Sequence, residues 1–128
     1  TFVGEIAVID WACGQGLATI FLHEYLEEKG YNCRIKEVIL IEPSEKALDR
    51  AKFIIEAIDS KIKVSTVNKK LDEVIDFDIK LFEKRKAVHL FSNIFDIQGI
   101  SLKHITENLL VNLSKNNYII CVSPYTSK

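Results

Sequence analysis

Nothing in this 128-residue chain pulls strongly toward one kind of partner. Its 17 Lys and Arg stand against 18 Asp and Glu, so no net field draws it to nucleic acid or to an acidic membrane face. The basic clusters Lys69-Lys70 and Lys84-Arg85-Lys86 are short and read as solvated faces. The three cysteines, Cys13, Cys33 and Cys121, include no C-x-x-C pair and have no histidine at metal spacing. A reduced, intracellular protein without a metal site is the expectation. No apolar run approaches the roughly 18 residues that span a bilayer, and the start lacks the basic flank of a signal peptide, so a cytoplasmic location is expected by default. The chain opens at Thr1 without an initiator Met and enters strand-like sequence at once. It is expected to be a single domain over residues 1–128, cut from a longer protein.

Two-residue hairpin turns, internal repeats and low-complexity linkers are also missing, which excludes a simple antiparallel meander or an array. What is present is alternation. Five apolar, β-branched segments, Glu5 to Asp10, Glu37 to Glu42, Lys61 to Val67, Lys86 to Ser92 and Tyr118 to Ser123, read as buried strands. Runs such as Ile6-Ala7-Val8-Ile9 suit a parallel sheet covered on both faces. The intervening segments are long enough for helical crossovers. Leu17 to Lys29 carries Leu17, Ile20, Phe21 and Leu26 on one side, with Gly30 as C-cap. Ser44 is suited to cap a second helix with Leu48, Ala51, Ile55 and Ile58 on its stripe. A third helix is expected from Leu71, Val74 and Ile75, and a fourth from near Ser101. The order βαβαβαβαβ implies an α/β, doubly wound, mostly parallel sheet with helices on both faces.

In such sheets ligands bind beyond the carboxyl ends of the strands. There the first strand runs into Asp10-Trp11-Ala12-Cys13-Gly14-Gln15-Gly16, and the second ends in Glu42-Pro43-Ser44. Glycines in a strand-to-helix turn let backbone approach a ligand. Asp10 is expected to point into the same crevice and favour a cation, and Glu42 to accept hydrogen bonds from ribose hydroxyls. His89 reads as a core histidine, His23 and His104 as surface or boundary residues. Trp11 and Phe91 either line the crevice or simply pack.

Those two segments carry a resemblance. Asp10 to Gly16 resembles the D-x-G-C-G-x-G motif of class I S-adenosylmethionine-dependent methyltransferases. Ile41-Glu42-Pro43-Ser44, with Ala47-Leu48 and Arg50-Ala51, resembles their second motif, and the whole chain matches in strand order. The resemblance implies a strand order of 3-2-1-4-5 and S-adenosyl-L-methionine as cofactor. It implies that Asp10, Ala12, Cys13, Gly14 and Gly16 hold the methionine part, that Glu42 takes the ribose, that Pro43 lies against the adenine and that Asn68 contacts its amino group. Ser92 and Asn93 fall nearest to the reacting end; no catalytic residue is named.

Ala12 replaces the family's first glycine, which an ordinary backbone conformation there would accommodate. After the fourth strand, Phe91-Ser92-Asn93-Ile94-Phe95-Asp96 lacks an Asn-Pro-Pro-aromatic run, and there is no Pro-Cys pair, so the methyl acceptor is not identified. The family fold continues past a fifth strand, whereas this one, near Tyr118, would be an uncovered apolar edge. A remaining domain or a subunit is expected to cover it. A methyltransferase is the leading function. The alternative is a non-catalytic, methyltransferase-like cofactor-binding or scaffold domain. A nicotinamide dehydrogenase fits less well, because Thr19 stands where the third glycine of G-x-G-x-x-G belongs and Asp10 would repel a pyrophosphate.

Overall fold

Every residue from Ile6 to Trp11 is buried, and this run is the middle strand of a five-stranded parallel sheet. The structure is a computed structural model that describes residues 4–30, 32–92 and 117–122. In chain order it contains β1 (Gly4–Trp11), α1 (Leu17–Lys29), β2 (Cys33–Ile41), α2 (Glu45–Ile58), β3 (Lys63–Val67), β4 (Lys86–Ser92) and β5 (Asn117–Val122). The strands lie in the order β3-β2-β1-β4-β5, every neighbouring pair parallel, as the sequence implied.

Alternation along the strands divides the core in two. Ile6, Val8, Val38, Leu40, Val88 and Leu90 face the side covered by α1 and α2 and meet Ile20, Leu26, Leu48, Ala51 and Ile55 there. Ile9, Trp11, Ile39, Ile41, Val67 and Phe91 face the other side. Gly30 ends α1 in the left-handed conformation at φ 66°, and the Ser44 hydroxyl caps α2 by accepting from the Ala47 amide at 3.3 Å.

Three expectations change. The crossover after β3 does not form a helix from Leu71. It makes two 3-10 turns, Leu71–Glu73 and Asp76–Ile79, which bury only Leu71, Val74 and Ile79 against the sheet. Leu71, Val74 and Ile75 have helical spacing, but the segment follows the sheet surface instead, leaving Ile75 exposed and burying Ile79. The third strand is not buried along its length; of its residues only Val67 is, since it forms one edge of the sheet. The second strand begins at Cys33 rather than at Glu37. Its alternating first half hides it from a search for apolar runs, and an extra residue explains the pattern: the register with β1 shifts between Ile6 and Ala7, so that Ile35 and Val38 share a face. The helix expected near Ser101 lies outside the described residues.

The same irregularity turns Glu37 inward, where it is 1% exposed. Its carboxylate accepts from the Phe82 amide at 2.9 and 3.1 Å and from Arg85 Nη1 at 3.3 Å, fixing the end of the long crossover beneath β4. Removing one partner of a buried pair leaves a charge uncompensated. Arg85→Leu is therefore expected to cost about 3 kcal/mol of stability, read from urea unfolding; a loss below 0.5 kcal/mol, which is typical of exposed pairs, would show that the pair is solvated.

Candidate functional site

The turn between β1 and α1 is assembled by three short backbone bonds. The Cys13 amide donates to the Ile41 carbonyl at 2.8 Å, Gly16 donates to the Cys13 carbonyl at 2.8 Å, and Ile20 opens α1 by donating to the Gly16 carbonyl at 3.0 Å. The first of these ties the turn to the end of β2. There Glu42 completes the junction: its Oε1 accepts from the Gly14 amide at 2.9 Å and its Oε2 from the Ser44 amide at 2.9 Å. Asn68, after β3, donates through Nδ2 to the carbonyls of both Glu42 and Pro43, each at 3.0 Å. The turns after β1, β2 and β3 thus meet at Glu42, the first two at its carboxylate and the third at its backbone carbonyl, at the carboxyl end of the sheet. Glu42 is half-buried, Pro43, Ser44 and Asn68 are exposed, and Ser92 stands half-buried at the end of β4. Asn93 lies outside the described residues.

Asp10 departs from expectation. Its side chain is fully buried on the α1 side of the sheet instead of opening into the crevice. Thr19 Oγ1 donates to its Oδ2 at 2.6 Å, while Oδ1 has no partner among the described residues. Burial, partly offset by Thr19 and reinforced by the negative charge of Glu42, raises its pKa to about 6. The signal in the sequence is a hydroxyl in the first turn of the helix that follows a strand-end acid. Burial, with Asp10 and Glu42 nearby, also pushes the Cys13 thiol far up, so Cys13 is a poor nucleophile. Trp11 and Phe91 pack: both are buried, with ring centroids 5.6 Å apart and planes 5° from parallel. Trp11 Nε1 donates to His89 Nδ1 at 3.1 Å, which leaves His89 Nε2 as the donor to Asn117 Oδ1 at 2.8 Å. Burial lowers the His89 pKa, consistent with a neutral core histidine.

The glycines divide in role. At Gly14, φ 55°, a Cβ would meet nothing within 4 Å, so the backbone lies open. At Gly16, φ 82°, a Cβ would stand 3.0 Å from Ala51 Cβ and 3.5 Å from Ile55 Cδ1. Gly16 therefore lets α1 approach α2, and the expectation that its missing side chain leaves room for a ligand is corrected. Ala12 holds φ 57°, left-handed rather than ordinary. Its strain is the cost of keeping an alanine where the turn asks for glycine.

The Glu42 carboxylate can accept further hydrogen bonds. A carboxylate offers about four acceptor positions, and two amides occupy only two of those on Glu42. Among the described residues no cluster of His, Cys, Asp and Glu could hold a metal ion, and no helix is long and apolar enough to cross a membrane.

No protein-family model matches the sequence, and a search of curated proteins finds no match. Solved structures do match. An rRNA methylase from Streptococcus thermophilus superposes with a TM-score of 0.61 at 16% identity, over 94% of this chain and 63% of that one. A candidate rRNA methylase from Clostridium thermocellum gives 0.55 at 19%, over 82% and 52%. A candidate methyltransferase from Streptococcus mutans, in complex with SAH, gives 0.56 at 16%, over 88% and 60%. The chain has the class I S-adenosylmethionine-dependent methyltransferase fold. It spans between about half and two-thirds of the length of these three structures.

Two outcomes follow from the turn. Ala12→Gly should raise stability by about 1 kcal/mol through relief of the left-handed strain, measured by thermal or urea unfolding. Because folding raises the Asp10 pKa, the stability it contributes is complete below the unfolded value near 4 and is lost as pH rises through about 6. Asp10→Asn removes that dependence, so between pH 4 and pH 8 the variant should gain about 2 kcal/mol on the parent. Parallel unfolding curves at the two pH values would contradict the assignment.

Proposed function

We propose that this chain is the cofactor-binding core of an S-adenosylmethionine-dependent methyltransferase. The observation that carries the reading is the convergence of Gly14, Ser44 and Asn68 on Glu42 at the carboxyl ends of β1, β2 and β3. Glu42 takes the ribose hydroxyls with its remaining lone pairs. The open backbone from Ala12 to Gly14 receives the methionine part, Pro43 lies beside the adenine, and Asn68, its amide donors already used on two carbonyls, offers Oδ1 to the adenine amino group. Asp10, sealed beneath the turn, acts on a bound ammonium and sulfonium through its field rather than by contact. Ser92 and Asn93 shape the reacting end. The cofactor, when bound, supplies a methyl already activated on a sulfonium, so the protein's task is chiefly alignment.

A scaffold reading, in which the fold binds the cofactor without turnover, is the alternative. Tyr118 and Ile119, exposed on β5, mark where a remaining domain or subunit would sit. Screening acceptors with labelled cofactor separates the two readings.

Calorimetric titration with S-adenosylmethionine, S-adenosylhomocysteine and NAD tests cofactor binding. The first two should bind and NAD should not; preference for NAD sinks the proposal. Glu42→Ala should weaken both adenosyl ligands by about ten- to a hundredfold, since they share the ribose. It should also cost about 1 to 2 kcal/mol of stability, because the Gly14 and Ser44 amides lose their acceptor. Unchanged affinity for both ligands would refute the ribose assignment.

A further inference from the structure

The edge of the sheet farthest from β5 carries a second feature that cofactor binding does not use. Among the described residues β3 has one strand neighbour, β2, so its outer edge is open. The Val67 carbonyl accepts from Glu42 on the β2 side. Backbone groups of successive strand residues point to opposite edges, so the N–H and C=O of Val64 and Thr66 face outward. Beside this edge lies a cleft of about 490 Å³, with Ile39, Ser65 and Val67 on its floor and Phe77, Leu81 and Phe82 on its wall. Phe77 is 77% and Phe82 65% exposed. The short 3-10 turns of the crossover hold these rings at the rim without closing over the sheet, and the Lys69–Asp78 ion pair at 2.8 Å pins them in place.

Charge adds a second constraint. Glu5 and Glu83, which line the adjoining cleft with Lys61 and Lys63, are already engaged by Arg85 and Lys36. Among the described residues Lys61 and Lys63 have no carboxylate partner, and Lys63 Nζ rests 4.1 Å over the Phe82 ring. An occupant must offer alternating backbone groups to Val64 and Thr66, an apolar side chain to the cleft, and negative charge to the two lysines. A helix or a small molecule supplies at most two of these.

The geometry points to β3 as a docking edge for an extended, acidic segment of a partner protein, added to the sheet as a sixth strand. Lys63 and Ser65 lie two residues apart on the cleft side of β3, so the segment carries an acid two positions from an aromatic or large aliphatic residue.

A fluorescein-labelled peptide Thr-Glu-Thr-Phe-Thr-Glu-Thr presents this pair in either strand direction, and its anisotropy is titrated with the full chain. Saturable binding is expected. A peptide with Ser for Phe, and the chain variants Lys63→Glu and Thr66→Pro, should each weaken it at least about tenfold, or about 1.4 kcal/mol. Proline on an edge strand removes the outward N–H and spares the ladder to β2. Circular dichroism and retained binding of S-adenosylhomocysteine would confirm that the variants fold; if either does not, Thr66→N-methyl-threonine introduced by ligation removes the same donor. Absence of saturable binding, or equal binding by parent and Thr66→Pro, overturns the proposal. So does dimerisation of the free chain that Thr66→Pro abolishes, since the edge would then belong to a second copy.

Discussion

The Glu42 carboxylate is the point on which the carboxyl end of the sheet depends. The turn after β1 contains three residues in the left-handed region, Ala12, Gly14 and Gly16. Its position is set by what it bonds to. Cys13 bonds the end of β2, and Gly14 bonds the side chain that follows it. Because the other Glu42 oxygen takes the Ser44 amide, the same group fixes the residue that caps α2. A single side chain thereby sets the spacing between two helix starts, and Asn68 stops its backbone from moving away.

The surroundings of this junction combine stabilising and destabilising choices. Gly16 permits close contact between α1 and α2, which favours the folded chain. Asp10, buried with one oxygen unpartnered, and Ala12, in a strained conformation, work against it. Asp10 lies near the end of β1 and Ala12 in the turn that follows, whereas most of the rest of the sheet is packed with aliphatic side chains. The cost is concentrated at the carboxyl end of β1 and in the residue just after it.

The central strands and both helices were legible because their physics is local. Ile6 to Ile9 and Val38 to Ile41 are uninterrupted apolar runs, and Ser44 and Gly30 mark helix ends by chemistry that needs no tertiary context. Glu42 could be singled out because an acid closing an apolar strand is locally anomalous. What was not legible depended on distant partners. The first half of β2 alternates apolar Cys33 and Ile35 with polar Arg34 and Lys36, but an extra residue opposite β1 puts it out of phase with Val38 onward, and only the pairing with β1 discloses that. Leu71, Val74 and Ile75 have helical spacing, but Ile75 points to solvent while Ile79 is buried, so the segment follows the sheet surface instead of its own period. Gly16 was assigned to a ligand since its real neighbour, Ala51, is 35 positions away in the chain. Asp10 was placed in an open crevice because sequence alone could not reveal that Thr19 would cover it.

The ring stack under the site has a further consequence. Trp11 is the one tryptophan in the chain, and it is clamped between Phe91 and His89 while its indole nitrogen is held by a histidine that itself reaches β5. Three neighbouring strands, β1, β4 and β5, therefore report to one chromophore. The chain carries an intrinsic optical gauge, set at the base of the turn after β1, whose emission is governed by whether β1, β4 and β5 stay in register.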